Sequence, residues 1–393
     1  PDGSKDENVF DIMQGVSIVL FIKNKERETL GKVYYQDVYG LRKNKYDFLD
    51  SNDIKTIKWK ELKPSEPYYF FVEKDFSLQV HYDKFFPVSE IFNKFSSGVK
   101  THRDHFVVGF TKEEIKQRMR IFTGDLPDDL VKQGLNLKDT RDWKINNARR
   151  NIKEIDWGKY IRPYSYRPFD VRYICYLPNL IDKGCDRWDL MQNFFKENLG
   201  LVSIRSESKQ IDFSHAFLSS FVVDIHYSGG QTYLFPLYLC PSIDRQDMFN
   251  YQQSGKRKQN LNPKLVKLLT ETHGKHLTLE EIFYYIYAIL YSNLYREKYA
   301  EFLKIDFPRI PFTKNYNLFK EMAKFGERLV DLHLLKSREL DPPLCKFQGK
   351  GDNRVEKIKY DENEKRIYFN EEQYFEGVAQ NIWQYEIGSY QVC

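Results

Sequence analysis

The sequence predicts an α+β protein in which a remnant of an α/β sheet precedes a larger mixed domain with helical segments. The chain has 393 residues, of which 41% are hydrophobic, enough for about two or three domains with real cores. Residues 16–22 form a nearly continuous apolar run, which is typical of a strand buried on both faces of a largely parallel sheet. From residue 76 onward, short strand patterns alternate with helical ones.

The N-terminal elements are predicted to be part of an incomplete sheet. Residues 32–39 are rich in β-formers and follow a charged stretch, so we expect a strand–turn–strand unit with residues 16–22. Because a lone two-stranded unit is marginally stable, its sheet partners are expected upstream, outside this chain. Residues 40–75 are predicted to be a connector, since Pro64 and Pro67 interrupt them.

Elements of both types are predicted after the connector, and the patterns divide the chain into regions 1–75, 76–312 and 313–393. The middle region has predicted helices over 112–122 and 190–196, and strands over 202–204, 221–225 and 233–239. Two stronger helices are predicted over 278–303, where Thr278 and Glu281 form a capping box, and over 316–336. Residues 344–393 are predicted to form short strands with turns at 349–353 and 361–364.

The cysteine spacing and the lengths of the apolar runs argue against a disulfide-stapled, zinc-binding or membrane-spanning protein, whereas the net charge is not decisive. The chain has 61 Lys and Arg against 56 Asp and Glu, and this net charge of +5 alone says little about partners. Its five cysteines are widely spaced, as in a cytoplasmic protein without a disulfide framework or zinc site. No apolar run reaches the roughly 18 residues that span a bilayer, and no signal peptide is visible. Because the chain lacks an initiator Met, we expect it to belong to something longer.

The strongest concentration of positive charge lies between residues 138 and 172. Ten Lys and Arg residues stand there against five acidic residues, an excess equal to the net charge of the whole chain. Tyr and Trp residues are interleaved with these cations, and such a segment can hold phosphates while its rings stack on bases. The alternative is a solvated, ion-paired surface.

A second candidate is the segment 97–104, Ser-Gly-Val-Lys-Thr-His-Arg-Asp, in which small residues would let the backbone approach a ligand. Residues 203–210 and 256–258 are further candidate contact loops, with an exposed turn as the alternative in each case. No nucleophile–base pair or metal cluster stands out, so no catalytic or metal-binding residue is predicted. The predicted contacts to nucleic acid are Lys100, Thr101, Arg103, Arg149, Arg150, Arg162, Tyr164, Tyr166, Arg167, Arg172, Arg205 and Lys209.

Several stretches, taken in order, resemble the C-terminal part of type ISP restriction–modification enzymes and related adenine methyltransferases. They are residues 6–18, 97–104, 162–172, 229–238, 284–303 with 306–312, and 383–392, so the resemblance covers nearly the whole chain. It implies that 1–75 end a methyltransferase core and that 76–312 form a DNA target-recognition domain. Residues 313–393 would be a helical spacer and a small β region, and the family pattern would continue beyond residue 393.

The resemblance also implies what this part of the polypeptide lacks. In that family the core binds S-adenosylmethionine and uses an Asn-Pro-Pro-Tyr-type motif, and neither this motif nor a glycine-rich cofactor loop occurs here. Catalysis and cofactor binding are therefore expected upstream, and no cofactor is expected here; whether this chain alone is an enzyme stays open. The implied partners are double-stranded DNA and the upstream core. The alternative is a module that docks to a partner subunit of a phage-defence complex without reading DNA.

Overall fold

The structure, a computed structural model, describes residues 5–12, 15–23, 31–207, 213–240, 257–387 and 390–392. The chain divides into two compact units, Pro1–Ser77 and Leu78–Cys393. Both units combine helices with small sheets, which confirms the predicted α+β class. Among the described residues, no helix is both long enough and apolar enough to span a membrane.

The N-terminal unit differs from the predicted strand–turn–strand arrangement. Val33–Tyr35 does form a strand, but it pairs antiparallel with Lys60–Leu62. Residues 15–23 form no strand, and their apolar side chains are exposed, up to 94% at Ile22. The prediction for 16–22 is wrong in this structure because an apolar run becomes a strand only when another strand completes its hydrogen bonds. The predicted connector also contains a helix, Arg42–Ser51.

The second unit contains most of the regular structure. Its α-helices are Gln79–Tyr82, Val88–Ile91, Asp104–Val107, Lys112–Thr123, Asp128–Gly134, Ile145–Ile152, Trp188–Met191, Pro263–His273, Leu279–Tyr291, Asn293–Lys298, Ala300–Leu303, Tyr316–His333 and Gln380–Trp383. Short 3₁₀ turns lie at Trp157–Tyr160, Pro178–Leu180, Gln192–Phe194 and Arg338–Leu340. Local sequence explains several starts: Thr111 and Asn262 each accept a backbone N–H bond at the beginning of a helix.

Two four-stranded sheets lie in the middle of this unit. The first, which we call the hairpin sheet, has the order Val222–Val223, Ile161–Arg167, Asp170–Cys175 and Val108–Gly109. Its two long strands form an antiparallel hairpin, and Val222–Val223 runs parallel to the first of them. The second sheet has the order Ser96–Ser97, Thr232–Pro236, Gly200–Ile204 and Phe217–Ser219. One buried cluster joins both sheets through Tyr164, Ile174, Val202 and Leu234.

The predicted helix over 278–303 is three helices in the structure. Thr278 and Glu281 form the predicted capping box, and the first helix, Leu279–Tyr291, ends at Ser292. The Ser292 side chain then caps the next helix, Asn293–Lys298. Leu279–Tyr291 packs against Tyr316–His333 at Gly326, where a Cβ atom would lie 1.8 Å from the Tyr284 carbonyl oxygen.

Short strands complete the unit near the C terminus, as predicted for 344–393. A four-stranded antiparallel sheet has the order Lys346–Gln348, Tyr374–Glu376, Arg366–Tyr368 and Lys359–Asp361. A two-stranded pair, Glu386–Ile387 with Tyr390–Gln391, follows this sheet. Two further pairs lie elsewhere in the unit, namely Phe86–Pro87 with Arg309–Ile310 and Tyr238–Leu239 with Lys258–Gln259.

Candidate nucleic-acid interface

The structure brings the two main candidate segments together. The loop 97–104, which we call the first loop, contacts the hairpin sheet through the short segment that begins at Val223. The Val99 N–H donates to the Val223 carbonyl at 2.8 Å, and the Ile225 N–H donates back to the Val99 carbonyl at 2.9 Å. On the other side, the Asp224 N–H donates to the Ser165 carbonyl at 3.0 Å. Backbone hydrogen bonds therefore hold the first loop in a fixed position beside the hairpin.

Gly98 has a different role from the one predicted. A Cβ atom at this position would lie 2.5 Å from the Asp224 carbonyl oxygen, far closer than van der Waals contact allows. The close approach that Gly98 permits is therefore to the protein's own backbone. The prediction that small residues here open the backbone to a ligand is corrected accordingly.

Side chains of the first loop alternate between the interior and the surface. Lys100 and His102 are exposed, whereas Thr101 and Arg103 are buried. The Arg103 guanidinium donates to Asp182 Oδ1 at 2.6 Å and lies 3.9 Å from the Trp143 ring centroid. Thr101 donates to Asp104 and accepts from the Arg103 N–H at 3.1 Å. Thr101 and Arg103 thus cannot touch DNA directly, and for these two residues the prediction becomes a supporting role.

A buried carboxylate organises the hairpin strand in the same way. Asp224 accepts from the Tyr164 hydroxyl at 2.7 Å and from Arg167 Nη1 at 2.8 Å. Burial raises the pKa of Asp224 above its ordinary value, outweighing the opposite effects of the Tyr164 hydrogen bond and the Arg167 charge. Tyr164 is fully buried, so the prediction that it contacts DNA is wrong; Arg167 is half-buried and paired.

Aromatic and basic side chains stack on one another further along the hairpin. The Tyr166 ring has the Arg172 guanidinium 3.9 Å and the Arg167 guanidinium 4.1 Å from its centroid. The Tyr166 hydroxyl donates to Asp104 Oδ2 at 3.0 Å, which ties the hairpin to the first loop. Arg172 also pairs with Asp170 at 2.8 Å. Tyr166 and Arg172 are half-buried, so part of this stack reaches the surface.

The other predicted cations are spread over different environments. Arg149 is half-buried and donates to the Phe122 and Gly124 carbonyls. Its side chain therefore caps the C-terminal end of the helix Lys112–Thr123. Arg150 is exposed, and Arg162 is half-buried beside the Phe195 ring. The remaining two are Arg205, which is exposed and paired with Asp306 at 2.9 Å, and Lys209, which lies outside the described residues.

Sequence reasoning missed the neighbour of the first loop. Residues 182–187, which we call the second loop, run beside it. The Lys100 N–H donates to the Cys185 carbonyl at 3.1 Å, and Arg187 Nε donates to Ser97 Oγ at 3.0 Å. Asp182 accepts from both His102 and Arg103. Acidic and basic residues alternate around Gly184 in the sequence, but this pattern does not reveal that residues 182–187 lie beside the first loop.

Asp182 is the charged centre that both loops share. Burial by itself raises the pKa of this carboxyl group, but the hydrogen bonds from Arg103 and His102 outweigh burial, so the pKa lies below its ordinary value. Asp182 therefore stays ionised between the two loops. The Asp182 carboxylate accepts hydrogen bonds from His102 and Arg103 inside the protein, so it does not pair with the exposed cations around it.

Comparison with protein families identifies this arrangement. The family model described as the type ISP C-terminal specificity domain matches residues 90–393, which is more than half of the chain. The chain belongs to this family. The type ISP specificity domain thus includes both loops and the hairpin, and the predicted resemblance is confirmed. Nothing in the comparisons supports the predicted alternative of a partner-docking module.

Solved structures show the same fold for the type ISP specificity domain. The chain matches LlaBIII, described as an ATP-dependent type ISP restriction–modification enzyme bound to DNA, at 21% identity and a TM-score of 0.74, covering 98% of this chain and 26% of that one. It matches a DrdV–DNA complex at 22% identity and a TM-score of 0.70, covering 92% and 38%. It also matches a nuclease-deletion mutant of the type ISP enzyme LlaGI with a DNA substrate mimic, at 22% identity and a TM-score of 0.65, covering 92% and 34%. This chain therefore spans only 26–38% of the length of these proteins. No curated protein sequence matches it.

Cofactor and metal sites do not emerge from the described residues. Within them, no group of three or more His, Cys, Asp or Glu side chains is placed to hold a metal ion.

Proposed function

We propose that this specificity domain reads the target sequence of double-stranded DNA for a larger restriction–modification enzyme. The observation that carries the proposal is the family match over residues 90–393. The three solved structures of the same fold, described as complexes with DNA or a DNA mimic, support it as well. In that larger protein the reaction would be methylation of adenine at N6.

Recognition would divide between two kinds of contact. Cations fix the register of a protein on phosphate groups, whereas base edges in the major groove carry the sequence information. The predicted contacts that keep exposed surface are Lys100, Arg150 and Arg205, which are exposed, and Arg149, Arg162, Tyr166, Arg167 and Arg172, which are half-buried. These residues remain candidates for touching DNA. The buried Thr101, Arg103 and Tyr164 would act by holding them in place.

The methyl transfer itself would take place elsewhere in the larger polypeptide. The target adenine would be flipped out of the duplex into a catalytic pocket formed by the upstream methyltransferase core. That core would also bind S-adenosylmethionine. The four described cysteines, Cys175, Cys185, Cys240 and Cys345, have free thiols, as a protein of the reducing cytoplasm would.

Selection from a randomised pool tests this proposal. The 393-residue chain is incubated with 40-base-pair duplexes that contain a randomised central segment, and the bound fraction is sequenced after several rounds. We expect one motif to be enriched and bound at least about 10³-fold more tightly than unselected duplex, whose affinity would be roughly 10⁻⁴–10⁻⁶ M at physiological salt. If no motif is enriched and unselected duplex binds equally well, the domain does not read sequence.

A further inference from the structure

We propose that the first loop, residues 97–104, and the second loop, residues 182–187, together form one DNA-contact surface. Its outward side chains are Lys100, His102, Lys183 and Arg187, of which the last two and His102 were not predicted from the sequence. The proposal rests on the proposed function and deepens it by naming the residues that carry it. All four side chains belong to exposed residues.

Both loops are held rigidly from below. The Arg103 side chain reaches from the first loop to Asp182 of the second loop, and its guanidinium lies over the Trp143 ring. The Trp143 indole N–H in turn donates to the Asn179 carbonyl at 2.9 Å, three residues before Asp182. Because inward side chains fix the backbone, the outward ones lose less conformational entropy when they bind.

The surface formed by the two loops is positively charged. Among the described residues, Lys100, Lys183 and Arg187 form no ion pair with a carboxylate. Asp182 lies beneath them and is already occupied by His102 and Arg103.

Two other acidic groups near these cations, Asp186 and Asp142, have partners of their own. Asp186 accepts from the Trp188 N–H at 2.8 Å. Asp142, whose pKa is lowered mainly by its hydrogen bond with Arg141 and slightly by the charge of Lys183, is paired with Arg141 at 3.0 Å. Cations without a carboxylate partner on one surface are suited to the phosphates of a duplex.

His102 has a role distinct from that of the lysines. Its Nδ1 lies 2.5 Å from Asp182 Oδ2, and because a carboxylate only accepts, Nδ1 donates and Nε2 remains available for a ligand. Its backbone φ of 55° is left-handed, as is that of Arg187, and such strained residues cluster at functional sites. A short ring in one fixed orientation is suited to a base edge, whereas flexible lysines are suited to phosphates. We therefore assign His102 to sequence discrimination.

Salt dependence tests the assignment of the lysines. The double variant Lys100→Ala/Lys183→Ala in the full chain is titrated with a fluorescein-labelled 30-base-pair duplex of arbitrary sequence at 50–200 mM salt. If each lysine meets one phosphate, the slope of log K against log salt falls by about 1.8. The matched control is Lys324→Ala/Lys336→Ala, which removes the same charge from exposed positions outside both loops and should leave the slope near the wild-type value. Equal slopes for the two variants would overturn the assignment.

Sequence selection tests His102. His102→Asn keeps a residue type that tolerates left-handed backbone, and His105→Asn is the control because His105 is exposed three residues away. We expect only His102→Asn to relax the enriched motif at one base pair, by roughly 5- to 150-fold in relative affinity. Unselected duplex should bind with an unchanged salt slope, which shows that the variant is folded.

The outcomes separate this inference from the proposed function. A wild-type chain that binds no duplex overturns both. A wild-type chain that selects a motif, with the same motif retained by His102→Asn, leaves sequence reading intact and rejects His102 as a discriminating residue.

Discussion

Replacing Gly98 with alanine should uncouple the first loop from the hairpin sheet. The new Cβ atom would lie 2.5 Å from the Asp224 carbonyl oxygen and 2.6 Å from both the Asp224 carbonyl carbon and the Ile225 nitrogen. All three are backbone atoms, so no side chain can rotate to relieve the contact, and the loop must move by about an ångström. That movement weakens the two hydrogen bonds of Val99 with Val223 and Ile225.

The expected loss follows from these contacts. Overpacking of a close-packed site costs about 1–3 kcal/mol, and each weakened hydrogen bond adds up to about 1 kcal/mol, so the free energy of unfolding should fall by about 2–4 kcal/mol. Urea unfolding followed by tryptophan fluorescence measures this change. Gly134→Ala is the matched control, since no atom lies within 4 Å of its Cβ position and alanine favours the helix. An unfolding midpoint of Gly98→Ala equal to that of the wild type would refute the reasoning.

Two further substitutions and one labelling experiment have outcomes that we expect from the structure. Gly326→Ala places a Cβ atom 1.8 Å from the Tyr284 carbonyl oxygen and should lower the free energy of unfolding by about 3 kcal/mol or more; circular dichroism melting at the wild-type temperature would contradict this. Asp182→Asn leaves the Arg103 guanidinium without its carboxylate and should cost about 3–5 kcal/mol near pH 7. Because the pKa of Asp182 lies below its ordinary value of 3.8, its stabilisation is complete above that pH and is lost as the pH falls through the lowered value. Unfolding titrations of wild type and variant should therefore converge in acid, and a constant gap would argue against the shared carboxylate. Burial raises the pKa of the Cys175 thiol to about 12, so iodoacetamide at pH 8 should spare it while alkylating the half-buried Cys185; mass spectrometry showing equal labelling of the folded chain would disprove it.

Local chemical signals were readable from the sequence because both partners of each contact are close along the chain. Thr278 and Glu281 are three residues apart, and their capping box forms as predicted. The helices Lys112–Thr123 and Tyr316–His333 likewise follow from their apolar spacing. The family itself was identified from short motifs in a fixed order, and the match over residues 90–393 confirms it.

Contacts between residues far apart in the sequence could not be predicted, because composition does not reveal which side chains or strands pair in the fold. Arg103 and Arg167 are cationic in the sequence, but Asp182 and Asp224, 79 and 57 residues away, take up their charges. Tyr164 and Tyr166 lie two residues apart on one strand, and nothing local shows that Tyr164 is fully buried whereas Tyr166 is only half-buried. For the same reason the sequence predicts the wrong partner for the strand Val33–Tyr35, which pairs with Lys60–Leu62.

The alternation of side chains in the first loop bears on how such a domain can change its recognition sequence. Stability resides in the inward Thr101 and Arg103, whereas the exposed Lys100 contributes little to the core. Exposed positions of this kind usually tolerate replacement within about 0.5 kcal/mol. Mutations there can therefore accumulate without passing through unfolded intermediates, which gives evolution, and protein engineers, an inexpensive route to new targets on an unchanged scaffold.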